Sequence, residues 1–509
     1  MTDTHERVTA RPQPGSAVAD DVDWMRELAV HYEQMRRAYP DDELCVVFDI
    51  DGTILDMRHL VVHTLLSYDR EHGTEHFRGL RPEDVTVHEN RIDQFLSEQP
   101  LPAPVRKEVT AWYAERLWSP EAILAASHPY RGVLPLIRWF QLQPTTSVAL
   151  NTGRPEELRE LTLRSLNALG RAHRVTFEDH LLWMNPRDWN EGVLESKVAG
   201  LHALQARGLR VVAVIDNEPA NIKTMALADE GGEILFLHAD TLFETQREAT
   251  PRTVTGKTYE LSGLVSEQDL RERVEFIWHG VNDEANLRQF LASGIHWAEC
   301  DVRVDPLGRL VLRHDSFQET PWTRSEHAYL LETCLQTLRA SDRAVVLDVK
   351  EGGDVPRRVL ELADVAGFDD AELCFLGSID ILGEEGMRDI ARARPRATLS
   401  VMADFVGPLL LAAHTLARQV LDTLRDWGVS RVAVDWRTTT RMRDLLEGFE
   451  ELEWEVNIHG VPDLWAFLEA ALLLPSALTA DFNFPDWHYY GRGSGQRRAY
   501  HSYTISGPA

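Results

Sequence analysis

Apolar positions along this chain fall into two patterns. Short, fully apolar runs stop abruptly at acidic or turn-forming residues, and longer stretches between them repeat apolar residues at helical spacing. The first run, Cys45 to Phe48, predicts a strand buried on both faces and ends in Asp49-Ile-Asp-Gly-Thr53. Thr146 to Leu150 repeats the pattern and runs into Asn151-Thr152-Gly153-Arg154-Pro155. Arg210 to Ile215 runs into Asp216-Asn217-Glu218-Pro219-Ala220-Asn221, and Ile234 to Ala239 is a further strand. Helical spacing marks Trp24 to Tyr39, ended by Pro40, then Glu156 to Leu169, and a helix holding Ser196, Lys197 and Val198. Strand alternating with helix predicts a parallel sheet with helices on both faces. The stretch from Met57 to about Gln141 interrupts that alternation. It is helical, broken by loops such as Arg78 to Thr86 and by Pro100, Pro102 and Pro104, and reads as an inserted cap.

After a polar stretch without periodicity, Thr245 to Lys257, the alternation restarts. Eight strands are predicted: Val274 to His279, His296 to Val302, Ala344 to Val349, Leu373 to Ser378, Thr398 to Ala403, Arg431 to Trp436, Trp454 to His459 and Ala477 to Phe482. Eight such units suit a (β/α)₈ barrel. The fold class is therefore α/β: a doubly wound Rossmann-like domain with a helical cap, followed by a (β/α)₈ TIM barrel. The expected organisation is a leader and N-terminal helix over 1–40, the first domain over 41–245 with its cap at about 57–141, a linker over 246–270, the barrel over 271–490 and a loose tail over 491–509.

Composition narrows the function classes. The chain has 509 residues, 26% of them charged, with a formal net charge of −28. That balance argues against nucleic acid, which requires a basic face. Small phosphorylated substrates stay compatible, because a bound cation inverts local electrostatics. Cys45, Cys300, Cys334 and Cys374 have no metal-binding spacing and read as free thiols in a reducing, cytoplasmic setting. No apolar stretch reaches the roughly 18 residues of a membrane helix, so no membrane insertion is expected. Met1 to Asp20 is polar, with no signal-like apolar core, and is expected to be disordered. The oligomeric state stays open.

The first strand ends in two carboxylates two positions apart. On a strand that spacing points both to one side, where a parallel sheet offers its carboxyl ends to a ligand. One carboxylate can attack and the other can move protons, with a cation between them. Thr152 can hold phosphate oxygens, Lys197 can neutralise a phosphoryl group, and Asp216 can bind a cation with Asp49. The order of strand-Asp, strand-Thr, helix-Lys and strand-Asp resembles the haloacid dehalogenase-like phosphatase superfamily over Asp42 to about Thr245. The resemblance implies Asp49 as nucleophile, Asp51 as general acid and base, and Thr152 and Lys197 as phosphate binders. It also implies Mg²⁺ held by Asp49, Asp216 and the backbone carbonyl of Asp51. Asn217 and Asn221 stand where that family often places a second acid.

The barrel carries a second constellation: Phe276-Ile-Trp-His-Gly-Val-Asn282, Ala298-Glu-Cys-Asp-Val302, Val311-Leu-Arg-His-Asp315 and Leu347-Asp-Val-Lys350. Glu299 and Asp301 face one way on their strand, and Asp348 and Lys350 repeat that geometry. Three carboxylates at adjacent strand ends suit Mg²⁺ or Ca²⁺. His279 and His314 make an acid/base pair, and Lys350 can stabilise charge on a phosphate. By position, Asp404, Asp435, Trp436, Asn457, His459 and Asp481 are further rim candidates. The set resembles the phospholipase C-like phosphodiesterase barrels, which include glycerophosphodiester phosphodiesterases and spider-venom sphingomyelinase D. The short His314-to-Asp348 spacing and His279-Gly-Val-Asn282 point to the sphingomyelinase D-like and Menorin-like branch. The resemblance implies Glu299, Asp301 and Asp348 as Mg²⁺ ligands and the two histidines as nucleophile or base and as acid, in hydrolysis or in cyclising transfer.

Together these readings predict a bifunctional phosphohydrolase, with the barrel cutting a phosphodiester and the first domain removing phosphate from the monoester. Two independent activities, or a binding scaffold with decayed sites, are the alternatives.

Overall fold

A computed structural model describes residues 24–187, 191–241, 253–323 and 328–480, together with the backbone of 482–483, 488–491 and 501–504. The leader Met1 to Asp20, Asp481, and the side chains of Trp487-His-Tyr-Tyr490 lie outside the described residues. The chain divides into two compact units. Among the described residues, one falls within 24–131, 145–161 and 180–259, and the other within 132–144, 162–179 and 260–504.

The first unit holds six parallel strands: β1 Glu43–Phe48, β2 Thr146–Pro155, β3 Leu182–Asn185, β4 Leu209–Asp216, β5 Leu235–Ala239 and β6 Thr253–Gly256. Their order is β3-β2-β1-β4-β5-β6. Strand order reverses between β1 and β4, which opens a crevice at their carboxyl ends. Asp49 and Asp216 stand there. Helices α1 (Trp24–Ala38), α2 (Met57–His72), α3 (Ala103–Arg116), α4 (Val193–Ala206) and α5 (Pro219–Ala228) complete the elements needed below. Cys45 and Val47 alternate onto one face, where α4 and α5 cover them with Leu201, Leu204, Ile222 and Met225. Val211 and Val214 join the same cluster, although an odd spacing would put them on opposite faces. The register explains it: Cys45 pairs with Val211 but Val46 pairs with Ala213, so Val212 is bulged out of β4. The bulge resets the alternation and brings Val214, and after it Asp216, to the face that α4 covers.

Two sequence expectations for this unit change. Thr253–Gly256 was expected in a polar linker and instead forms the edge strand, pairing with β5. Gly256 is required there, because a Cβ would lie 2.2 Å from the Trp24 ring of α1. The helical cap was expected to continue to about Gln141. Its last helix, Val133–Leu142, groups instead with the second unit. β3, only four residues long, was not anticipated.

The second unit contains eight parallel strands closed into a barrel: β7 Glu275–Trp278, β8 Trp297–Val304, β9 Ala344–Val349, β10 Leu373–Gly377, β11 Thr398–Met402, β12 Arg431–Asp435, β13 Glu455–His459 and β14 Ala477–Ala480. β7 pairs with both β8 and β14, which closes the ring. The interior is layered, as inward residues at successive heights dictate. Arg431, the first residue of β12, is 5% exposed and bridges Glu275 at 2.7 Å and Glu455 at 2.8 Å, which begin their own strands. Above it Ile277, Val346, Cys374, Leu376, Ala433 and Ala477 form an apolar layer. Carboxylates occupy the layer above. The tail, expected to be loose, contributes the strand His501–Thr504, paired antiparallel with His488–Gly491. All four cysteines are buried and free. No helix among the described residues is long and apolar enough to cross a membrane.

Candidate functional site

In the first unit the lysine ammonium organises the site. Lys197 points from α4 to the crevice, and its Nζ donates to Asp49 Oδ1 at 2.6 Å, to Asp216 Oδ2 at 2.7 Å and to the Asn151 carbonyl at 2.7 Å. Three N–H groups meet three acceptors, all buried. The helix can come this close because Gly200, one turn on, has no side chain. A Cβ there would lie 2.5 Å from Trp183 and 2.6 Å from Asn151 Oδ1. Burial would lower the Lys197 pKa, but Asp216 and Asp49 outweigh it and raise it above the ordinary lysine value. Burial pushes the Asp49 carboxyl up, Lys197 opposes that, and Asp216 and Asp51 add to it.

Asp49 and Asp51 both line one cavity, as the two-residue spacing predicted, but from the turn that follows the strand. β1 ends at Phe48, and the chain turns through Gly52 at φ +83°. Ile54 and Leu55 donate back to the Ile50 carbonyl. Asp51 receives a two-point fork from Arg154, Nε to Oδ2 at 2.7 Å and a terminal nitrogen to Oδ1 at 2.6 Å. The Arg154 side chain is 1% exposed, and its guanidinium stands over the Trp118 ring of the cap. Thr152 is buried, and its Oγ1 accepts from the Arg154 N–H. Asn221 donates to both oxygens of Asp216, at 3.2 and 3.3 Å, so it orients that carboxylate. Asp49, Asp51, Thr152, Lys197, Asn217 and Asn221 all line one cavity of about 1040 Å³. Sequence reading gave no role to three further residues of its wall, Arg154, Glu218 and Glu89.

The oxygen donors of this unit fit a hard cation. Asp49 Oδ2 has only a 3.4 Å contact to the Thr53 hydroxyl, so a buried carboxylate oxygen is left under-satisfied beside Asp216. One ammonium stands against these two carboxylates, leaving net negative charge for Mg²⁺.

In the barrel, register assembles the site. Asp348 pairs directly with Asp301, and Val346 pairs with Glu299. Glu299, Asp301 and Asp348 are buried, and one oxygen of each lies within 4.8 Å of the others. Among the described residues this is the group of three carboxylates that could hold a metal. Asn282 fixes Asp301 from both ends: its Nδ2 donates to Oδ2 at 2.6 Å, and its Oδ1 accepts from the Asp301 N–H at 2.9 Å. Gly280, at φ +67°, brings its N–H to 2.6 Å from Glu299 Oε2. Burial first, and Asp301 second, push the Glu299 carboxyl up to about 8. Burial would also raise Asp301, but Lys350, His279 and His314 together hold it below the usual carboxylate range. Both histidines therefore act on the same carboxylate.

His279 Nε2 lies 4.0 Å from Glu299 Oε2, with its side chain 42% exposed. His314 Nδ1 lies 3.0 Å from Asp315 Oδ1, with its side chain 49% exposed. Lys350 is turned toward the carboxylates, bonded to Asp348 and 3.0 Å from Asp301 Oδ1. The latter oxygen is buried and lacks a hydrogen bond of good geometry. Three buried acids sharing one ammonium fit Mg²⁺ or Ca²⁺.

Of the rim candidates, Asp404 and Asp435 form a cluster with Arg437, which forks onto Asp435. His459 lies beside it, with Nε2 buried and lacking a hydrogen bond. Its pKa is lowered by burial, against the pull of both acids. Asn457 faces inward and accepts from the Thr479 hydroxyl at 3.0 Å.

No protein-family model and no curated protein matches the chain. Solved structures resemble parts of it. A glycerophosphodiester phosphodiesterase from Parabacteroides distasonis is 14% identical, over 41% of this chain and 92% of its own, with a TM-score of 0.33. An Oleispira antarctica phosphodiesterase, solved with its product sn-glycerol-3-phosphate, is 13% identical over 41% of this chain and 93% of its own, at 0.32. A putative beta-phosphoglucomutase from Bacteroides vulgatus is 17% identical, over 42% and 84%, at 0.24. At such identities and scores these likenesses assign neither an activity nor residue roles.

Proposed function

We propose that the chain is a bifunctional, Mg²⁺-dependent phosphohydrolase acting on small phosphorylated substrates. One observation carries this reading: each unit gathers buried carboxylates and a lysine at the carboxyl ends of adjacent parallel strands. In the first unit Asp49 attacks the phosphorus of a monoester, the bond to the leaving oxygen breaks, and Asp51 gives that oxygen a proton. Water then attacks the aspartyl-phosphate, Asp51 takes its proton, and free phosphate leaves. For this Asp51 must exchange part of the Arg154 fork for the substrate. Thr152 and Lys197 hold the phosphoryl oxygens. Asp49, Asp216 and the Asp51 carbonyl would hold Mg²⁺, and Glu299, Asp301 and Asp348 would hold Mg²⁺ or Ca²⁺. A bound divalent ion supplies positive charge for the phosphoryl oxygens in the transition state.

In the barrel, one of His279 and His314 removes the proton of the attacking water or of a substrate hydroxyl, and the other protonates the leaving oxygen as its bond to phosphorus breaks. Water gives a monoester, and a substrate hydroxyl gives a cyclic phosphate. The monoester is what the first unit consumes, so the two reactions run in sequence. Phosphate release from a diester by the full chain tests this. His314→Ala should abolish that release while monoester turnover continues, and Asp49→Asn should let the monoester accumulate. Release that survives His314→Ala sinks the sequential reading.

A further inference from the structure

The cavity of the first unit is much larger than a phosphoryl group, and its outer wall comes from the cap, including His88 to Asp93 and Thr110. One residue of that wall is poorly satisfied. Glu89 is 7% exposed, and its Oε2 is buried with no hydrogen-bond partner. The nearby ring nitrogen, His88 Nδ1 at 3.2 Å, already accepts the Asn90 N–H. As an acceptor it offers Glu89 no proton. The turn that carries Glu89 is itself fixed, because the Tyr113 hydroxyl of α3 donates to the Glu89 carbonyl at 3.1 Å. A buried carboxylate oxygen held in place without a donor calls for a ligand that brings one.

The surroundings specify the donor's charge. Asp51, Asp49 and Glu218 all act on the Glu89 carboxyl, and Asp93 lines the same wall. Two cations of the cavity are engaged elsewhere: Arg154 forks onto Asp51 and Lys197 joins Asp49 and Asp216; with Arg91 counted, the lining still carries five acids, Asp49, Asp51, Glu89, Asp93 and Glu218, against three cations. A hydroxyl could satisfy Oε2, but only a cation also answers the surplus of carboxylates. Tyr113 also lines the cavity, and an aromatic ring there suits an ammonium.

We propose that Glu89 selects the leaving group of the first unit, and that the monoester is the phosphate of an amino alcohol whose ammonium donates to Glu89. This deepens the reading of that unit as a phosphomonoesterase and rests on it. The test uses the full chain with Mg²⁺, comparing 2-aminoethyl phosphate with its uncharged counterpart 2-hydroxyethyl phosphate. The wild type should favour the amino compound in kcat/KM by about tenfold or more, the worth of a charge-assisted hydrogen bond. Glu89→Gln, nearly the same shape, should collapse that preference, mainly through KM. A wild type that treats the two alike overturns the proposal, as does a Glu89→Gln variant that loses both activities in parallel. Calorimetric binding of both compounds to Asp49→Asn separates the two layers. Preferential binding of the amino compound without turnover by the wild type keeps the selectivity and sinks the phosphatase. Equal binding of the two compounds sinks the selectivity whatever the turnover.

Discussion

The two acidic centres solve one electrostatic problem with different surpluses. In the first unit the ammonium of Lys197 satisfies Asp49 and Asp216 with hydrogen bonds of 2.6 and 2.7 Å, and Asp51 has its own guanidinium. In the barrel three buried acids share the ammonium of Lys350, which bonds Asp348 and approaches Asp301. Glu299 is pushed up to about 8 by burial and by Asp301. The first centre is held together largely by the chain's own cations. The second is assembled by strand register and left short of positive charge. The comparison teaches that removing a cation should hurt the first centre most when the cation is a side chain, and the second most when it is a metal.

The largest expected effect follows from Lys197. Lys197→Met leaves two buried carboxylates facing each other, which should cost the first unit about 3–5 kcal/mol of stability and abolish monoester turnover. Denaturant unfolding followed by hydrogen exchange in β1 measures the first, and adding Asp216→Asn should restore part of it. A Lys197→Met protein as stable as the wild type would break the comparison at its first term.

Metal comes next. Mg²⁺ at about a hundred times its dissociation constant should stabilise the barrel by about 2.7 kcal/mol, and Asp301→Asn with Asp348→Asn should remove the shift. The same titration should move the first unit less at equal concentration, because Lys197 already neutralises part of its charge. A shift that disappears in Asp49→Asn but survives the barrel substitutions would reverse the comparison. Gly200→Ala is milder. Its Cβ meets the Trp183 ring and the Asn151 amide, and such overpacking costs about 1–3 kcal/mol. Because Lys197 rides on the same helix, turnover should fall with stability, and barrel activity should not change.

What was legible in the sequence follows the physics of each element. Asp49 and Asp216 end fully apolar runs, and Glu299 with Asp301, like Asp348 with Lys350, stand two apart on a strand, so strand periodicity marks them. β6 was missed because Thr253–Gly256 is an edge strand of four residues whose first three positions are only partly buried or exposed, too short to show a period. The bulge at Val212 leaves no mark in an unbroken apolar run, although it sets where Asp216 points. Arg154 reads as part of a strand-to-helix turn, and its partner Asp51 is 103 residues away. Glu89 sits in a polar loop of the cap. Its backbone carbonyl is held by the Tyr113 hydroxyl of α3, 24 residues on, a contact that no local pattern announces.

Glu89 also gives the finest test of how the first unit handles charge. Its carboxyl is pushed up to about 8, by burial first, with its own N–H opposing and Asp51, Asp49 and Glu218 adding to the rise. With no ammonium bound, such a group keeps its proton in the folded state, a proton that a cationic ligand would displace, while the unfolded chain loses it at about 4.3. Its contribution to stability is complete below that value and is lost as pH rises to about 8. His88 works in the opposite sense. Burial and Arg91 lower its pKa, so it costs stability only as pH falls below its ordinary value of about 6.5. Asp49, raised to about 7, shares the lower part of the Glu89 window. Among these three, the interval from pH 7 to 8 belongs mainly to Glu89. Without metal, the stability of the first unit should decline there by at most about 1.4 kcal/mol per pH unit. Hydrogen exchange at β1 amides, corrected for intrinsic rates, reads that slope. Glu89→Gln should flatten it, while the contribution of His88 below pH 6.5, which opposes that of Asp49, stays unchanged. An unchanged slope would mean that the carboxyl is ionised in the folded cap, in which case the charge surplus of the first centre is larger than that of the barrel.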